Sequence, residues 1–340
     1  MDNNDQNQPD YTDSQPLATD ASAAGEGSVA PAGEGSAAPA GEPASEQPPV
    51  ASAIGAPQVE QPRVNPVVYE LSLFFTALMF YTRLPGPSWV GYSDEMMNKS
   101  TRYFPVIGWV VGVVLAAVIG VSCVVLPPAL AVGFGLAVGV MLTGAFHEDG
   151  FADVCDGFGG GMTRERTLDI MKDSRVGAFA VIGLVLLFGI KISAMTALVT
   201  VEPWYGLLAI VYAHVLSRFC VVTIIYTDDY ARNDATSKIR PVGNNISTGG
   251  LVVSGLWLLP FVALMVARPL WLVTVPVALL IRWRMGGWFK KRLGGYTGDC
   301  LGAAQQVIEV FTFVTILVSI AIMTMLGFSS TPLWTVLVNI

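Results

Sequence analysis

Ionisable side chains are scarce in this sequence. Only 13% of its 340 residues are Asp, Glu, Lys or Arg, against 53% hydrophobic, where a soluble globular protein carries about 25% charged residues. That shortage argues against a soluble enzyme and for a multi-span membrane protein. Histidine occurs twice and cysteine four times, at Cys123, Cys155, Cys220 and Cys300, with no CxxC spacing. A zinc site is therefore not expected. There is no P-loop lysine motif and no serine esterase elbow. No strongly basic patch is present, so no nucleic-acid partner is expected.

The net charge of −7 is unevenly placed. Residues 1–65 hold ten of the 26 acids and one base, Arg63. This stretch is rich in Ala, Gly, Pro, Glu, Ser and Gln, and an octad beginning at Gly25 repeats from Gly33 and decays from Gly41. Such a segment cannot bury enough apolar surface to offset its ordering entropy, so it is expected to be a disordered acidic tail. It has no basic start and no apolar core, and so does not read as a signal peptide. Residues 66–340 form the second expected domain, embedded in the membrane.

Spans need about 20 apolar residues. Candidates are 104–126, 128–146, 177–200, 203–226, 247–267, a shorter 269–283, and 305–327. Tight links fall near Pro127-Pro128, Glu202-Pro203 and Arg268-Pro269, and long polar loops at 83–103, 147–176, 227–246 and 284–304. The alternation puts all four loops on one side. Fifteen of the 18 bases after residue 65 lie in or at the edges of those loops, and one, Arg268, lies opposite. The loops are therefore expected to face the cytoplasm. Residues 67–82 are apolar but short and carry Glu70; they read as an amphipathic helix in the interface. The expected fold is an all-α polytopic bundle of about seven transmembrane helices plus this interfacial helix.

The run His147-Glu-Asp-Gly-Phe-Ala-Asp-Val-Cys-Asp-Gly157 concentrates acids where a span ends. On a helix, Asp149, Asp153 and Asp156 fall at i, i+4 and i+7, one face. Carboxylates so close repel unless a cation sits between them. Mg2+ would take their oxygens and keep waters for a phosphate-bearing substrate. A solvated helix end carrying ordinary acids is the plainer alternative.

Gly157-Phe-Gly-Gly-Gly161 then reads as a flexible loop or a phosphate cradle feeding a helix capped by Thr163. On that helix Arg166, Asp169 and Asp173 would share a face, and Arg166, Lys172 and Arg175 could clamp phosphates. The loop 227–246 has mixed charge, and Asp299 between glycines reads on its own as a turn residue. His214 and Arg218, at i and i+4 inside a span, are functional candidates by default, and a buried Arg218 needs an anion. Lys191 either pairs structurally or snorkels. The residues alone thus reach a membrane-embedded Mg2+-dependent phosphoryl-transfer enzyme.

Several motifs resemble the cobalamin synthase family, the adenosylcobinamide-GDP ribazoletransferases. They are Phe80-Tyr-Thr-Arg-Leu-Pro85, Phe104-Pro-Val-Ile-Gly108, Gly144-Ala-Phe-His-Glu-Asp-Gly-Phe-Ala-Asp-Val-Cys-Asp-Gly157, Leu168-Asp-Ile-Met-Lys-Asp-Ser-Arg-Val-Gly177, Ser217-Arg218 and Thr297-Gly-Asp-Cys-Leu-Gly-Ala303. The resemblance runs in order over residues 67–327. The acidic tail lies outside it, and Glu148 departs from it, since the family usually has an apolar residue there. The resemblance implies attack by a hydroxyl of alpha-ribazole, or of its 5′-phosphate, on the cobinamide-side phosphorus of adenosylcobinamide-GDP, with GMP leaving. It also implies Mg2+ and the bacterial inner membrane with its lipid. Asp149, Asp153 and Asp156 would hold the metal and, with His147, form the catalytic group. Arg83, Arg166, Lys172, Asp173, Ser174, Arg175, Ser217, Arg218 and Asp299 would contact substrate, with Arg175 or Arg218 on the departing GMP phosphate. His147 and a cluster aspartate both remain open as the proton acceptor. A homo-oligomer, or an assembly with other nucleotide-loop enzymes, is compatible with this reading.

Three other readings remain. The spaced acids also look like those of CDP-alcohol phosphotransferases, but the separation of the two acid pairs does not match and the Ala-Arg after the first pair is missing. Aspartate-rich intramembrane prenyltransferases typically show two such clusters. An anion transporter using Arg218 and Lys191 would predict broken spans in paired repeats, which the sequence does not display.

Overall fold

A computed structural model describes residues 65–231 and 245–327. The tail assigned to residues 1–65 and the loop bases Arg232, Lys238 and Arg240 lie outside these, apart from Asn65. Twelve α-helices are present among the described residues: α1 (Pro66–Tyr81), α2 (Asp94–Ser100), α3 (Phe104–Ser122), α4 (Pro128–Thr143), α5 (Phe146–Gly160), α6 (Arg164–Ile170), α7 (Ala178–Val201), α8 (Pro203–Thr227), α9 (Thr248–Leu256), α10 (Pro260–Ala267), α11 (Thr274–Leu293) and α12 (Gly298–Met325). There is no strand among them. The protein is an all-α membrane bundle.

Proline sets many of the starts. Pro66, Pro105, Pro128, Pro203 and Pro260 sit in the first turns of α1, α3, α4, α8 and α10, where their missing N–H costs nothing. Five segments are long and apolar enough to cross a membrane: Asp94–Ser122, Ala178–Val201, Pro203–Thr227, Pro269–Leu293 and Gly298–Met325. Two further pairs are bent, α4–α5 by 90° and α9–α10 by 51°. Counting each pair as one span gives up to seven. α1 has 16 residues, about 24 Å, shorter than the ~30 Å hydrocarbon core. Its acid, Glu70, accepts hydrogen bonds from Tyr103 at 2.6 Å and Arg102 at 3.3 Å.

Two expected boundaries move. Of the loop assigned to 284–304, residues through Leu293 continue α11, and only four residues separate it from α12. The segment 147–176 is largely helical, as α5 and α6. Both stretches interleave buried apolar positions such as Val154, Phe158, Met285 and Phe289 with exposed charged ones such as Asp149, Arg284 and Lys291, so they look polar in bulk.

α8 is the centre of the bundle, with nearly every residue from Ala209 to Ile225 buried. α3 packs on it through two glycines. A Cβ on Gly108 would lie 2.5 Å from the His214 carbonyl oxygen, and one on Gly112 would lie 2.8 Å from Val211 Cα. Spaced by four, these residues share one helix face, the small-xxx-small device by which membrane helices bring backbones together.

Candidate functional site

The bend between α4 and α5 creates the site. Gly144 and Ala145 both adopt left-handed conformations, with φ of 67° and 60°. This ends α4 and turns the chain so that α5 crosses its neighbours. The Arg83 side chain lies over the bend, where a Cβ on Gly144 would meet its Nε at 2.5 Å. An exposed Arg83 thus covers the corner from which α5 departs.

Asp149, Asp153 and Asp156 all lie on α5. Asp149 is exposed, Asp153 is half-buried, and Asp156 is turned toward α7. Asp156 accepts hydrogen bonds from the Gly177 N–H at 2.6 Å and the Ala180 N–H at 2.9 Å. It therefore caps the first turn of α7, whose own cap residue Gly177 has no side chain to do so. Gly150 allows α12 to approach: a Cβ there would lie 2.9 Å from Asp299 Cα. One on Gly302 would be 3.0 Å from the His147 carbonyl oxygen. This crossing sets Asp299, in the first turn of α12, beside the Asp149–Asp153 stretch of α5.

The glycine run is a correction. Gly157, Gly159 and Gly160 belong to α5, and only Gly161 ends it. Their small size serves packing, since Cβ atoms on Gly157 and Gly159 would run into Met171 and Phe179. Their amides are spent inside the helix and do not form a loop cradle. The helix after Thr163 starts as expected, with Thr163 Oγ1 accepting from the Arg166 N–H at 3.2 Å, but it stops at Ile170. Asp173 therefore does not share a helical face with Arg166 and Asp169. Its side chain accepts from the Arg175 N–H at 3.1 Å, a local turn that competes with helix. The same carboxylate pairs with the Arg175 guanidinium at 2.5 Å, which holds Asp173 down at about 2 and raises Arg175. Arg166, Lys172 and Ser174 are exposed nearby.

A second group of polar residues lies inside the bundle. Glu309 of α12 is fully buried; Lys191 Nζ is 2.7 Å from its Oε1, and His214 Nδ1 is 2.7 Å from its Oε2. Arg218 Nη1 is 3.8 Å from Oε2, donates to the His214 carbonyl at 3.0 Å, and the guanidinium lies over the Phe104 ring. Gln305 donates to Glu309 at 2.5 Å and to Ser217 at 3.2 Å. Lys191 also donates to Gln306 at 2.8 Å, and Gln306 donates to Glu148 at 2.9 Å. Lys191 is 13 residues into α7 and Glu309 is 11 into α12, about 20 Å and 16 Å along the two axes. The cluster thus sits inside the bundle, against the first turn of α5, whose Glu148 it reaches through Gln306. His147 is buried too, stacked on Phe104 at 5.7 Å, with Nε2 lacking a partner among the described residues.

Two regions therefore emerge. Asp149, Asp153, Asp299, Arg166, Lys172, Asp173, Ser174 and Arg175 belong to the end of the bundle around α5 and α6. His147, Ser217 and Arg218 belong to the interior. Glu309, Gln305 and Gln306 were not singled out in the sequence, although an acid within an apolar span is a signal in itself. Among the described residues no group of three or more His, Cys, Asp and Glu converges as a metal cage. Mg2+ does not require one, since it is commonly bound by one or two carboxylates together with waters and substrate phosphates. Asp149 and Asp153, hard oxygen donors one turn apart, fit that demand.

The sequence profile of the family described as Cobalamin-5-phosphate synthase matches residues 73–317. Two proteins named adenosylcobinamide-GDP ribazoletransferase are similar to most of the chain. That of Shewanella frigidimarina is 40% identical over 255 residues, covering 73% of this chain and 95% of its own length. That of Leptothrix cholodnii is 41% identical over 256 residues, with the same coverage. No solved structure matches. The profile match runs from α1 to α12 and takes in α5 and the interior cluster, and each relative is matched over 95% of its length: the chain belongs to the Cobalamin-5-phosphate synthase family.

Proposed function

We propose that the protein is an adenosylcobinamide-GDP ribazoletransferase, joining alpha-ribazole or its 5′-phosphate to the cobinamide phosphate and releasing GMP. The observation that carries this reading is the match to relatives of that name over 95% of their length. The α5 end of the bundle supplies the chemistry. In the reaction a ribazole hydroxyl oxygen bonds to the cobinamide-side phosphorus, the bond from that phosphorus to the bridging oxygen breaks, and the hydroxyl proton leaves to a base.

Mg2+, held by Asp149 and Asp153, would neutralise pyrophosphate charge and make the phosphorus more electrophilic. Arg166 and Lys172, exposed on or beside α6, would bind phosphate oxygens by charge-assisted hydrogen bonds. Arg175 would exchange the Asp173 carboxylate for the departing GMP phosphate. An aspartate of α5 is the better proton acceptor, because His147 is closed inside the bundle at 2% exposure. Arg218, at 1% exposure, already faces Glu309, so its role is to hold the interior on which α5 rests. Asp156 fixes α5 to α7. The positive-inside count supports a cytoplasmic orientation for this end, and the family resemblance implies a bacterial inner membrane.

The test is purified protein in liposomes given adenosylcobinamide-GDP, alpha-ribazole and Mg2+, with products scored by mass. Adenosylcobalamin and GMP are expected in equal amounts. Absence of any cobamide product with Mg2+, Mn2+ or Co2+ overturns the assignment. A cysteine at Ser237 should be labelled only from the cytoplasmic side; periplasmic labelling reverses the orientation.

A further inference from the structure

The outer face of α11 changes character along its length. Leu279 and Leu280 are exposed on the apolar part of the segment Pro269–Leu293. Continuing from Leu280 by helical steps of four, three and four residues come Arg284, Gly287 and Lys291, all exposed. Two indoles flank this line, Trp283 at 62% and Trp288 at 45% exposure. Trp283, Arg284, Met285, Gly287, Trp288 and Lys291 line an open groove of about 600 Å³ that begins one turn beyond the two leucines. Gly287 is its floor, and a Cβ there would meet nothing within 4 Å.

Two of the three neighbouring cations are already used, and the third, Lys290, is exposed but does not line the groove. Arg282 is paired with Asp228 at 3.2 Å, and Arg292 donates to the Gly161 and Phe158 carbonyls. Arg284 and Lys291 have no partner among the described residues. Two unspent cations, seven residues apart on one helix face, therefore flank a glycine notch at the end of an apolar stripe, with an indole on either side.

That order is the complement of a phospholipid. Acyl chains match the exposed leucines, the glycerol level matches the indoles, which favour the membrane interface, and an anionic phosphate matches the cations. We propose that the α11 groove is a binding site for one anionic phospholipid, its phosphate between Arg284 and Lys291 and its acyl chains along Leu279 and Leu280. The site is separate from the acids of α5. Trp288 packs on Phe158, near the C-terminal end of α5, with ring centroids 4.5 Å apart, so an occupied groove would brace that end of the helix.

The test uses full-length protein in nanodiscs of phosphatidylcholine carrying graded brominated phosphatidylglycerol. Saturable quenching of tryptophan fluorescence is expected, much weaker with brominated phosphatidylcholine and lost in W283F/W288F. R284A/K291A should weaken phosphatidylglycerol binding about 30-fold, from about 1 kcal/mol per surface cation. G287F should abolish saturation while keeping both charges, which separates an occupied groove from general attraction to an acidic surface. Native mass spectrometry should show one retained phosphatidylglycerol on the wild type and none on G287F. Equal quenching by both lipids, or a G287F variant that binds as wild type, overturns the site. So does displacement of the lipid by millimolar inorganic phosphate, which would mark an anion site without lipid selectivity. Every readout is independent of ribazoletransferase activity, so failure of one reading leaves the other standing.

Discussion

Lys191→Met probes the interior on which α5 rests. In the wild type Lys191 neutralises Glu309 at 2.7 Å and donates to Gln306 at 2.8 Å, with both charged side chains essentially closed to solvent. Methionine fits the volume but leaves Glu309 with His214, Gln305 and a distant Arg218, and leaves the Gln306 carbonyl without its donor. Removing one member of a buried ion pair costs about 3–5 kcal/mol. Because Glu309 keeps two close donors, the lower end, about 3 kcal/mol, is expected. For a domain of this size each kcal/mol moves the melting point about 2–4 °C, so a fall of about 6–12 °C follows. Glu309→Leu should cost more, because it strips the shared acceptor from Lys191, His214 and Gln305 at once. The assay is thermal unfolding in detergent, followed by tryptophan fluorescence. A Lys191→Met midpoint within 2 °C of wild type, or a Glu309→Leu variant less affected than Lys191→Met, would refute the reasoning.

Other consequences follow from single contacts. Asp156→Ala removes both acceptors at the start of α7 and should cost about 1–2 kcal/mol, the usual range for a lost cap, read as a lower melting midpoint. Gly112→Val pushes α3 from α8 and should cost about 1–3 kcal/mol or more by overpacking, whereas Gly133→Ala, which meets open space, should be neutral or slightly stabilising. Asp149→Asn should lower kcat by at least about 100-fold, the lower range for a lost acid-base or charge-positioning group, with the melting point unchanged because Asp149 is exposed. Asp173 is held at about 2 by Arg175. Its depressed value means the pair is fully formed at higher pH and is lost only as pH falls toward 2, so activity loss between pH 6 and 4 should be the same in Asp173→Asn as in wild type.

The parts of the fold that follow from periodicity were legible in the sequence. Apolar length marked the straight helices α3, α7, α8 and α12, and proline marked the tight links. Bends were not legible, because a span broken at Gly144–Ala145 or Trp257–Leu259 has the same mean hydropathy as a straight one. The helicity of Gly157–Gly160 was hidden by composition: glycine disfavours helix, and only the packing of Met171 and Phe179 against it explains its use there. Thr163 announced the start of α6, yet the Asx turn at Asp173 ended the helix sooner than the charge pattern suggested. The acids of α5 stood out because charge is scarce. Glu309 is masked by the long apolar segment around it, although the same scarcity of charge applies to it. What no spacing rule could show is that it gathers Lys191, His214, Gln305 and Arg218 from three helices.

The central claim is that this chain joins ribazole to cobinamide phosphate at the cobinamide-side phosphorus. It is tested most directly with adenosylcobinamide-GDP carrying oxygen-18 in the oxygen that bridges its two phosphorus atoms. Mass spectrometry of the products should find the label in GMP and none in the cobamide. Label retained on the cobinamide side, or release of GMP without a cobamide, would contradict it.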